Sequence, residues 1–434
     1  MKKRSIGIGL MGLGVVGGQV AKVLLDKADT LAERAGCPLE LRKIKVTKSS
    51  LAKSQNRQIP NQLFTTDIDE FFAEPDIDIV IETIGGENPA QEYIRRAISA
   101  GKYVVTANKE IIAKCGVELQ ALAQKHRVGL RYEASVGGGI PLINPFSHAL
   151  VANEISGIYG IINGTTNYIL TRMARESIDF PSALKSAREL GYAEADSAND
   201  IEGIDASYKL AILASLAFQS QVQPGDIHRE GISRLDSRDF RYAQELGFAI
   251  KLLAIAKQAD GLIEARVHPA FIPSDTFLAK VDGIYNAILV EGDLIGKVLF
   301  FGEGAGASPT SSAVIADIVS LSQDIILGAG PRTRQKIELS KRVKPMADIK
   351  TQYYLRMTAI DQPGVFAQLS RALGDNLISI SSVIQKETDA AAQTAEIVIM
   401  THPAQEKAMQ QALKELTNLA VVKEINNFIR VENI

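Results

Sequence analysis

SIGIGLMGLGVVGGQVAKVLL, residues 5–25, contains two overlapping matches to the spacing G-x-G-x-x-G: Gly7–Gly9–Gly12 and Gly12–Gly14–Gly17. The spacing carries meaning only with a strand before it and a helix after it. The first register leaves almost no strand ahead of it and puts Gly14 inside the helix. The second gives a strand from Lys3 to Leu10 and a helix from Val15 to about Leu31. In that register Gly12 permits the tight turn, Gly14 lets backbone approach a pyrophosphate, and Gly17 lets helix and strand pack closely. Leu13, Val15 and Val16 complete the loop, and the helix start turns its unpaired N–H groups toward phosphate oxygens. The expectation is a dinucleotide-binding domain.

The following residues alternate as a parallel α/β sheet requires. LELRKIKVT (39–47) reads as a second strand and DIDIVIETIGG (76–86) as a buried strand ending in glycines. PAQEYIRRAISAG (89–101) reads as a helix, KYVVTANK (102–109) as a strand, and VGLRYEASVGGG (128–139) follows a further helix. An acid at the end of the second strand would hold the adenosine ribose and favour NAD. That end reads Val46-Thr47-Lys48-Ser49, without an acid. Lys48, with Lys45 or Lys53, is placed to meet a 2′-phosphate, which favours NADP with NAD as the alternative; these lysines also suit a solvated surface. Ligands in such sheets lie beyond the C-terminal strand ends, where Thr106 and Lys109 stand.

Composition narrows the class. At 434 residues the chain has room for about three domains of roughly 150 residues each. It is 46% hydrophobic and 23% charged, as in ordinary globular proteins. A net charge of −2 and no long basic tract argue against nucleic acid or an anionic membrane as partners. Cys37 and Cys115 form no motif, which suits a reducing compartment, and the five histidines lack metal-ligand spacing. Lys2, Lys3 and Arg4 ahead of the uncharged run Ser5–Ala21 imitate a signal peptide, but six glycines interrupt that run and no small-x-small site follows. The chain reads as cytoplasmic, with no membrane span.

From about residue 145 the pattern changes. GIINGTTNYIL (160–170) reads as a strand, a turn and a helix. ARELGYAEADSANDIEG (187–203) carries Glu194, Asp196, Asp200 and Glu202 into IEGIDASYKLAIL (201–213). There Asp205 and Lys209 stand four apart in a helix that offers no polar face through Phe218. An acid–lysine pair at this spacing is usually a structural ion pair, but desolvating both charges is costly, so a buried pair is a functional candidate. Together the acids and the lysine suit a substrate ammonium with a proton donor beside it. FGEGAGASPTSSAVIAD (301–317) adds a glycine loop, Gly304 and Gly306, ahead of a helix starting near Thr310.

GLGVVG, TANK, YEASVGGGIP, GIINGTTNYIL, ELGYAEADSANDIEGIDASYKLAIL and FGEGAGASPTSSAV occur in this order. The set resembles homoserine dehydrogenase over roughly residues 1–320, and no aspartate kinase segment precedes the glycine loop, as in the monofunctional form. The resemblance implies NAD(P)-dependent interconversion of L-homoserine and L-aspartate 4-semialdehyde, a step of threonine and methionine synthesis. It implies Lys209 as proton donor with Asp205 as its orienting partner, and Lys109 as a second lysine at the reacting oxygen. Glu194 would take the substrate ammonium, and Gly191 would lie near the cofactor. In YEASVGGGIP the resemblance implies a monovalent cation, sodium, on Glu133 and the carbonyls of Val136, Gly138 and Ile140; a plain turn packing two domains is the alternative. Two departures stand out. Ser197 replaces the proline that commonly follows Glu-Ala-Asp, which would loosen the loop, and the second strand end lacks the usual arginine and acid.

Residues 353–434 read strand, Asp361-Gln362-Pro363-Gly364 turn, helix to about Asn376, two strands, an amphipathic helix and a last strand. That is the βαββαβ order of a ferredoxin-like domain. The DQPGV turn and Asn376 resemble the ACT regulatory domain, which implies an amino-acid ligand, threonine in this family, held by Asp361, Gly364 and Asn376 between paired copies. A domain that only dimerises is the alternative. The expected architecture is therefore α/β: a Rossmann-type doubly wound sheet over 1–145 with helix 305–325 returning to it, an α+β catalytic and dimerisation domain over 146–305, a linker over 330–350, and an ACT-like domain over 351–434. A homodimer or homotetramer is expected. Another NADP-dependent semialdehyde reductase, or a non-catalytic NADP-binding sensor, are the competing readings.

Overall fold

Six parallel strands form one sheet in the order Phe64–Thr65, Leu39–Lys45, Ile6–Met11, Ile79–Glu82, Tyr103–Thr106, Leu130–Arg131 in the computed structural model, which describes residues 5–54, 59–328 and 342–434. The central strands are near-continuous apolar runs because helices cover both faces: Ile6, Ile8, Leu10, Ile79, Ile81, Val104 and Val105 are all buried. The first strand begins at Ile6; Lys3, where it was expected to start, lies outside the described residues. The first helix, Val15–Asp26, stops short of the expected Leu31 because Lys27 leaves helical geometry (φ −117°, ψ 25°), and a second helix, Ala28–Ala35, follows.

Gly12 adopts φ +93°, and a Cβ there would lie 2.7 Å from the Thr83 carbonyl oxygen. A Cβ on Gly17 would collide with the Gly12 carbonyl, so strand and helix close up as the second register requires. Gly7 and Gly9 serve the strand itself: side chains there would strike the Asp76 carbonyl and the Phe71 ring. The two overlapping glycine patterns thus have separate physical causes. The helix Ala307–Leu327 is long and apolar enough to cross a membrane by composition, yet Val314, Ile318 and Leu321 lie in the same core as Ile6, Ile8 and Val20.

Backbone contacts divide the chain into two compact units. One takes in Met1–Ile155, Tyr208–Pro224 and Gly292–Ser340; the other takes in Ser156–Ser207, Gly225–Glu291 and Lys341–Ile434. The second unit is built on a sheet whose strands run Tyr285–Gly292, Ile155–Ile161, Phe248–Ala259, Leu262–Pro273, Val422–Val431, Lys350–Ile360, Thr394–Thr401, Ile380–Asp389. The last four strands, with helices Val365–Asp375 and Glu406–Thr417, are the expected βαββαβ unit around Leu355, Leu369, Ile397 and Leu416. This unit is not set apart from the rest. Ala270 and Phe271 pair in parallel with Arg430 and Val431, so one sheet continues from the central hairpin into the C-terminal domain. Of the expected linker, 330–341 lies outside the described residues, while Arg342 and Val343 pair with Leu262 and Ile263.

Charge is buried along that junction. Arg266 binds Glu432 at 2.6 Å and Glu264 at 2.8 Å, and Arg356 binds Asp239 at 2.7 Å and Glu396 at 2.9 Å. Burial would raise the Glu432 carboxyl, but Arg266 and Lys257 outweigh it and hold it at about 2. His268 sits among these cations with no exposure; Nδ1–H donates to the Pro269 carbonyl at 2.8 Å and Nε2 accepts from Arg266 Nε at 3.2 Å. Burial, then Arg430 and Arg266, push its imidazole down from 6.5 to about 3. An unfolded chain binds that proton below pH 6.5 and the fold does not, so stability falls as pH drops from about 6.5 toward 3. This one group should remove about 2 kcal/mol by pH 5. His268→Gln, which keeps a donor for Pro269 and an acceptor for Arg266, is expected to flatten the acid limb of a melting-temperature profile between pH 7.5 and 5. An unchanged limb would exclude His268 as its source.

Candidate active site

The glycine loop ends in a helix whose first turn has no side-chain cap: Gly14 is the N-cap, and Val15 is 74% exposed. A Cβ on Gly14 would meet nothing within 4 Å, so the backbone stands open to a bulky group while uncapped N–H groups point outward. Both features fit the pyrophosphate of a nicotinamide dinucleotide. Lys48 opens the helix Lys48–Ser54 just past the second strand and is exposed. Gly306 caps the helix Ala307–Leu327 at φ +117°, and Gly304 is buried close to Gly138. All the proposed cofactor residues except Gly191 lie in the first unit.

At the end of the fourth strand stands a residue that sequence reasoning passed over. Glu82 has no exposure; Oε2 accepts the Thr106 hydroxyl at 2.6 Å and Oε1 accepts the Ile84 and Gly85 N–H groups at 2.7 and 3.3 Å. The Thr106 hydroxyl also accepts from Asn108 N–H at 3.0 Å, so it is spent inside the protein and any cofactor contact from Thr106 would come from its backbone. Asn108 caps the next helix through Ile111 N–H, and Lys109 is that helix's first residue. One turn on, Lys114 pairs with Glu87 and Glu110 and lies over the Tyr208 ring, the neighbour of Lys209. An acid closing a buried strand was the available signal for Glu82.

In the second unit the strand Ile155–Ile161 leads into Asn163, the N-cap of the helix Gly164–Glu176. Asn163 Oδ1 accepts the Thr166 N–H at 2.9 Å, while Nδ2 donates to Asp200 at 2.7 Å and to Asp205 at 2.9 Å. The motif drew attention to this turn, but no feature of the sequence tied Asn163 to the two carboxylates. Glu194 and Gly191 (φ +76°) are exposed in the preceding loop. Ser197, expected to loosen that loop, is buried and accepts from Arg188 Nη2 at 3.3 Å, and Arg188 also bonds the Ala195 carbonyl. The helix Ile204–Ala217 then places Asp205 and Lys209, 5% and 8% exposed, one turn apart among buried Leu210, Ile212 and Leu213. This helix crosses from the second unit into the first at Tyr208.

The YEASVGGGIP stretch turns through Gly137 (φ +75°) and Gly138 (φ +55°). The Glu133 carboxylate is committed to backbone: Oε1 accepts from Leu142 and Ile143 N–H at 2.5 and 2.8 Å, and Oε2 from Asn144 N–H at 2.7 Å. Its own N–H donates to Asp317, whose carboxyl burial raises to about 7. Glu133 therefore offers a cation its carbonyl oxygen, which among the described residues accepts just a long bond from Val136 N–H at 3.5 Å. Among the described residues no hydrogen bond ends on the carbonyls of Val136, Gly138 or Ile140, and an all-oxygen set fits a hard cation.

In the C-terminal domain Gly364 (φ +89°) starts the helix Val365–Asp375, with Asp361 in the same turn. Asn376 caps the other end of that helix, where its amide donates to Ala372 and Glu415. Eleven residues of helix, roughly 16 Å, separate Asp361 and Gly364 from Asn376, so a single copy does not bring the three together.

Residues 12–133 match the family model described as homoserine dehydrogenase, NAD binding domain, residues 141–319 that of homoserine dehydrogenase, and residues 353–421 the ACT domain. A homoserine dehydrogenase from Neisseria gonorrhoeae is 42% identical over 99% of both chains. A homoserine dehydrogenase structure from Thiobacillus denitrificans is 41% identical, with a TM-score of 0.93 over 99% of this chain and 98% of that one. A hyperthermophilic archaeal homoserine dehydrogenase solved with NADPH is 27% identical, with a TM-score of 0.63 over 73% of this chain and 98% of its own. The chain belongs to the homoserine dehydrogenase family, oxidoreductases that act on a CH–OH group with NAD(P), and carries that family's NAD-binding, catalytic and ACT domains.

Proposed function

We propose that Lys209 delivers the proton when L-aspartate 4-semialdehyde is reduced to L-homoserine. Bound NADPH supplies the hydride to the aldehyde carbon; the oxygen gains its proton from the protein, which balances the alcohol product. The observation that carries this reading is a lysine only 8% exposed, one turn past a carboxylate that Asn163 holds in place. An ammonium placed at the reacting oxygen can stabilise the developing alkoxide and donate its proton to it. Lys109 serves the same oxygen as a second cation, and Glu194 takes the substrate ammonium. Purified protein should oxidise L-homoserine, followed by NAD(P)H absorbance. Absence of turnover with both NADP and NAD would sink the substrate reading.

The preferred cofactor is NADP, supported by the lack of an acid after the second strand and by the NADPH-bound archaeal relative. Lys48 meets the 2′-phosphate. Lys48→Ala is expected to weaken NADPH about tenfold, a loss of about 1.4 kcal/mol, and NADH less than twofold. Equal weakening of the two would take Lys48 out of the phosphate site. The carbonyls of Glu133, Val136, Gly138 and Ile140 hold sodium, and threonine binds the ACT domain through Asp361 and Gly364 of one copy and Asn376 of another. A homodimer or homotetramer in the cytoplasm completes the proposal.

A further inference from the structure

The geometry points to Asn163 as a positioning residue whose amide nitrogen sets the two carboxylates, Asp200 and Asp205, that precede the proton-donating lysine. This inference rests on the reading of Lys209 given above. Asn163 is 5% exposed and extended (φ −132°, ψ 114°), and its two amide hydrogens go to different carboxylates, Asp200 at 2.7 Å and Asp205 at 2.9 Å. Its carbonyl oxygen is fixed from the other side by the Thr166 N–H and hydroxyl, both at 2.9 Å. The amide therefore cannot rotate without breaking bonds at both ends.

Capping alone does not call for asparagine. Asn, Asp and Ser cap helices about equally well, and any of them would satisfy the Thr166 N–H. Only asparagine adds a donor with two hydrogens beside two acids; aspartate would add a third negative charge, and serine has one hydrogen on a shorter arm. The surroundings are built for close approach. A Cβ on Gly164 would lie 2.7 Å from the Ile284 carbonyl oxygen, so the turn seats tightly. Asp200 belongs to the short helix Ala198–Ile201 and Asp205 to the helix Ile204–Ala217, and Gly203 (φ +72°) makes the corner between them. Two helix starts, each carrying one acid, are thus indexed to a single nitrogen on a third element. Lys209 follows Asp205 by one turn, so an error at Asp205 is carried along the same helix to the lysine.

The test compares Asn163→Asp and Asn163→Ser with the wild type, since both keep an oxygen for the cap and both remove the forked donor. The expected result is a fall in kcat for L-homoserine oxidation of about 100-fold in Asn163→Asp and about 10-fold in Asn163→Ser, with the KM for NADP unchanged within twofold. A purely capping residue would instead leave kcat at the wild-type value in both variants, and that outcome overturns the inference. Should Asn163→Asp fail to fold, Asn163→Ser decides alone: reduced kcat at unchanged KM for NADP sustains the proposal, and wild-type kcat ends it. Failure of the underlying reading is separately visible, because Lys209→Ala would then keep its turnover while the wild type remained the reference.

Discussion

Lys209→Ala should lower turnover of L-homoserine by about a thousandfold or more while NADPH still binds, because a positioned proton donor and its charge are both lost. The substitution is well suited to separating chemistry from folding. Lys209 lies inside the helix Ile204–Ala217, and alanine is the best helix former, so local geometry survives. The flanking Leu210, Ala211, Leu213 and Ala214 are fully buried and keep the helix packed. Lys209→Arg is the informative companion: it retains positive charge, but a guanidinium does not release a proton near neutral pH. Recovery of NADPH binding and loss of turnover in both variants would place the proton on Lys209. Equal loss of NADPH affinity and turnover would make the residue structural, and near-normal turnover in Lys209→Ala would move the donor elsewhere, with Lys109 the next residue to replace.

The second large effect concerns stability. Arg430→Met should lower the melting temperature by about 10 °C, since breaking a buried ion pair from one side costs roughly 3–5 kcal/mol. Arg430 is 1% exposed and grips Glu406 with two nitrogens, Nε to Oε2 at 2.8 Å and Nη2 to Oε1 at 2.6 Å. Nη1 donates to Glu230 Oε2 at 2.9 Å. Burial would raise the Glu230 carboxyl, yet His228 and Arg430 together hold it well below the usual range. Methionine fills the space but leaves the buried Glu406 carboxylate without its cation and Glu230 with His228 as its remaining ring partner. The consequence should reach turnover as well. Glu230 N–H bonds the Val267 carbonyl, Ile232 N–H bonds the Ile201 carbonyl, and Gly231 packs so closely on Ile201 that a Cβ would lie 2.6 Å from its oxygen. Ile201 leads through Gly203 to Asp205, so the C-terminal strand braces the start of the helix bearing Asp205 and Lys209. The measurement is thermal melting paired with kcat/KM for L-homoserine; a melting temperature within 2 °C of wild type would show that the pair contributes little.

Much of the fold was legible because its signals are local. Gly12, Gly14 and Gly17 mark a turn, an opening and a close approach within a few residues, and the strand and helix around them follow from apolar runs. The order of elements in 353–434 follows from alternating periods of two and 3.6. What the pattern concealed was pairing between distant segments. Nothing near residue 430 announces that Val422–Val431 joins Leu262–Pro273. The hairpin of Phe248–Ala259 with Leu262–Pro273 is the opposite case, since its two-residue turn Asp260-Gly261, both at positive φ, is a local signal. Glu133 illustrates the same limit within a site: its place in the motif suggested a ligand, while its carboxylate is spent on Leu142, Ile143 and Asn144.

By itself the sequence determined the dinucleotide loop, the family, and the placement of Asp205 and Lys209 one turn apart, since each depends on spacing along a few turns of chain. Tertiary structure alone decided which donors the acids receive. Asn163 meets Asp200 and Asp205 across 37 and 42 residues, and Arg266 meets Glu432 across 166. A buried carboxylate must find a donor, but which one it finds is set by how distant backbones pack, and no local periodicity encodes that.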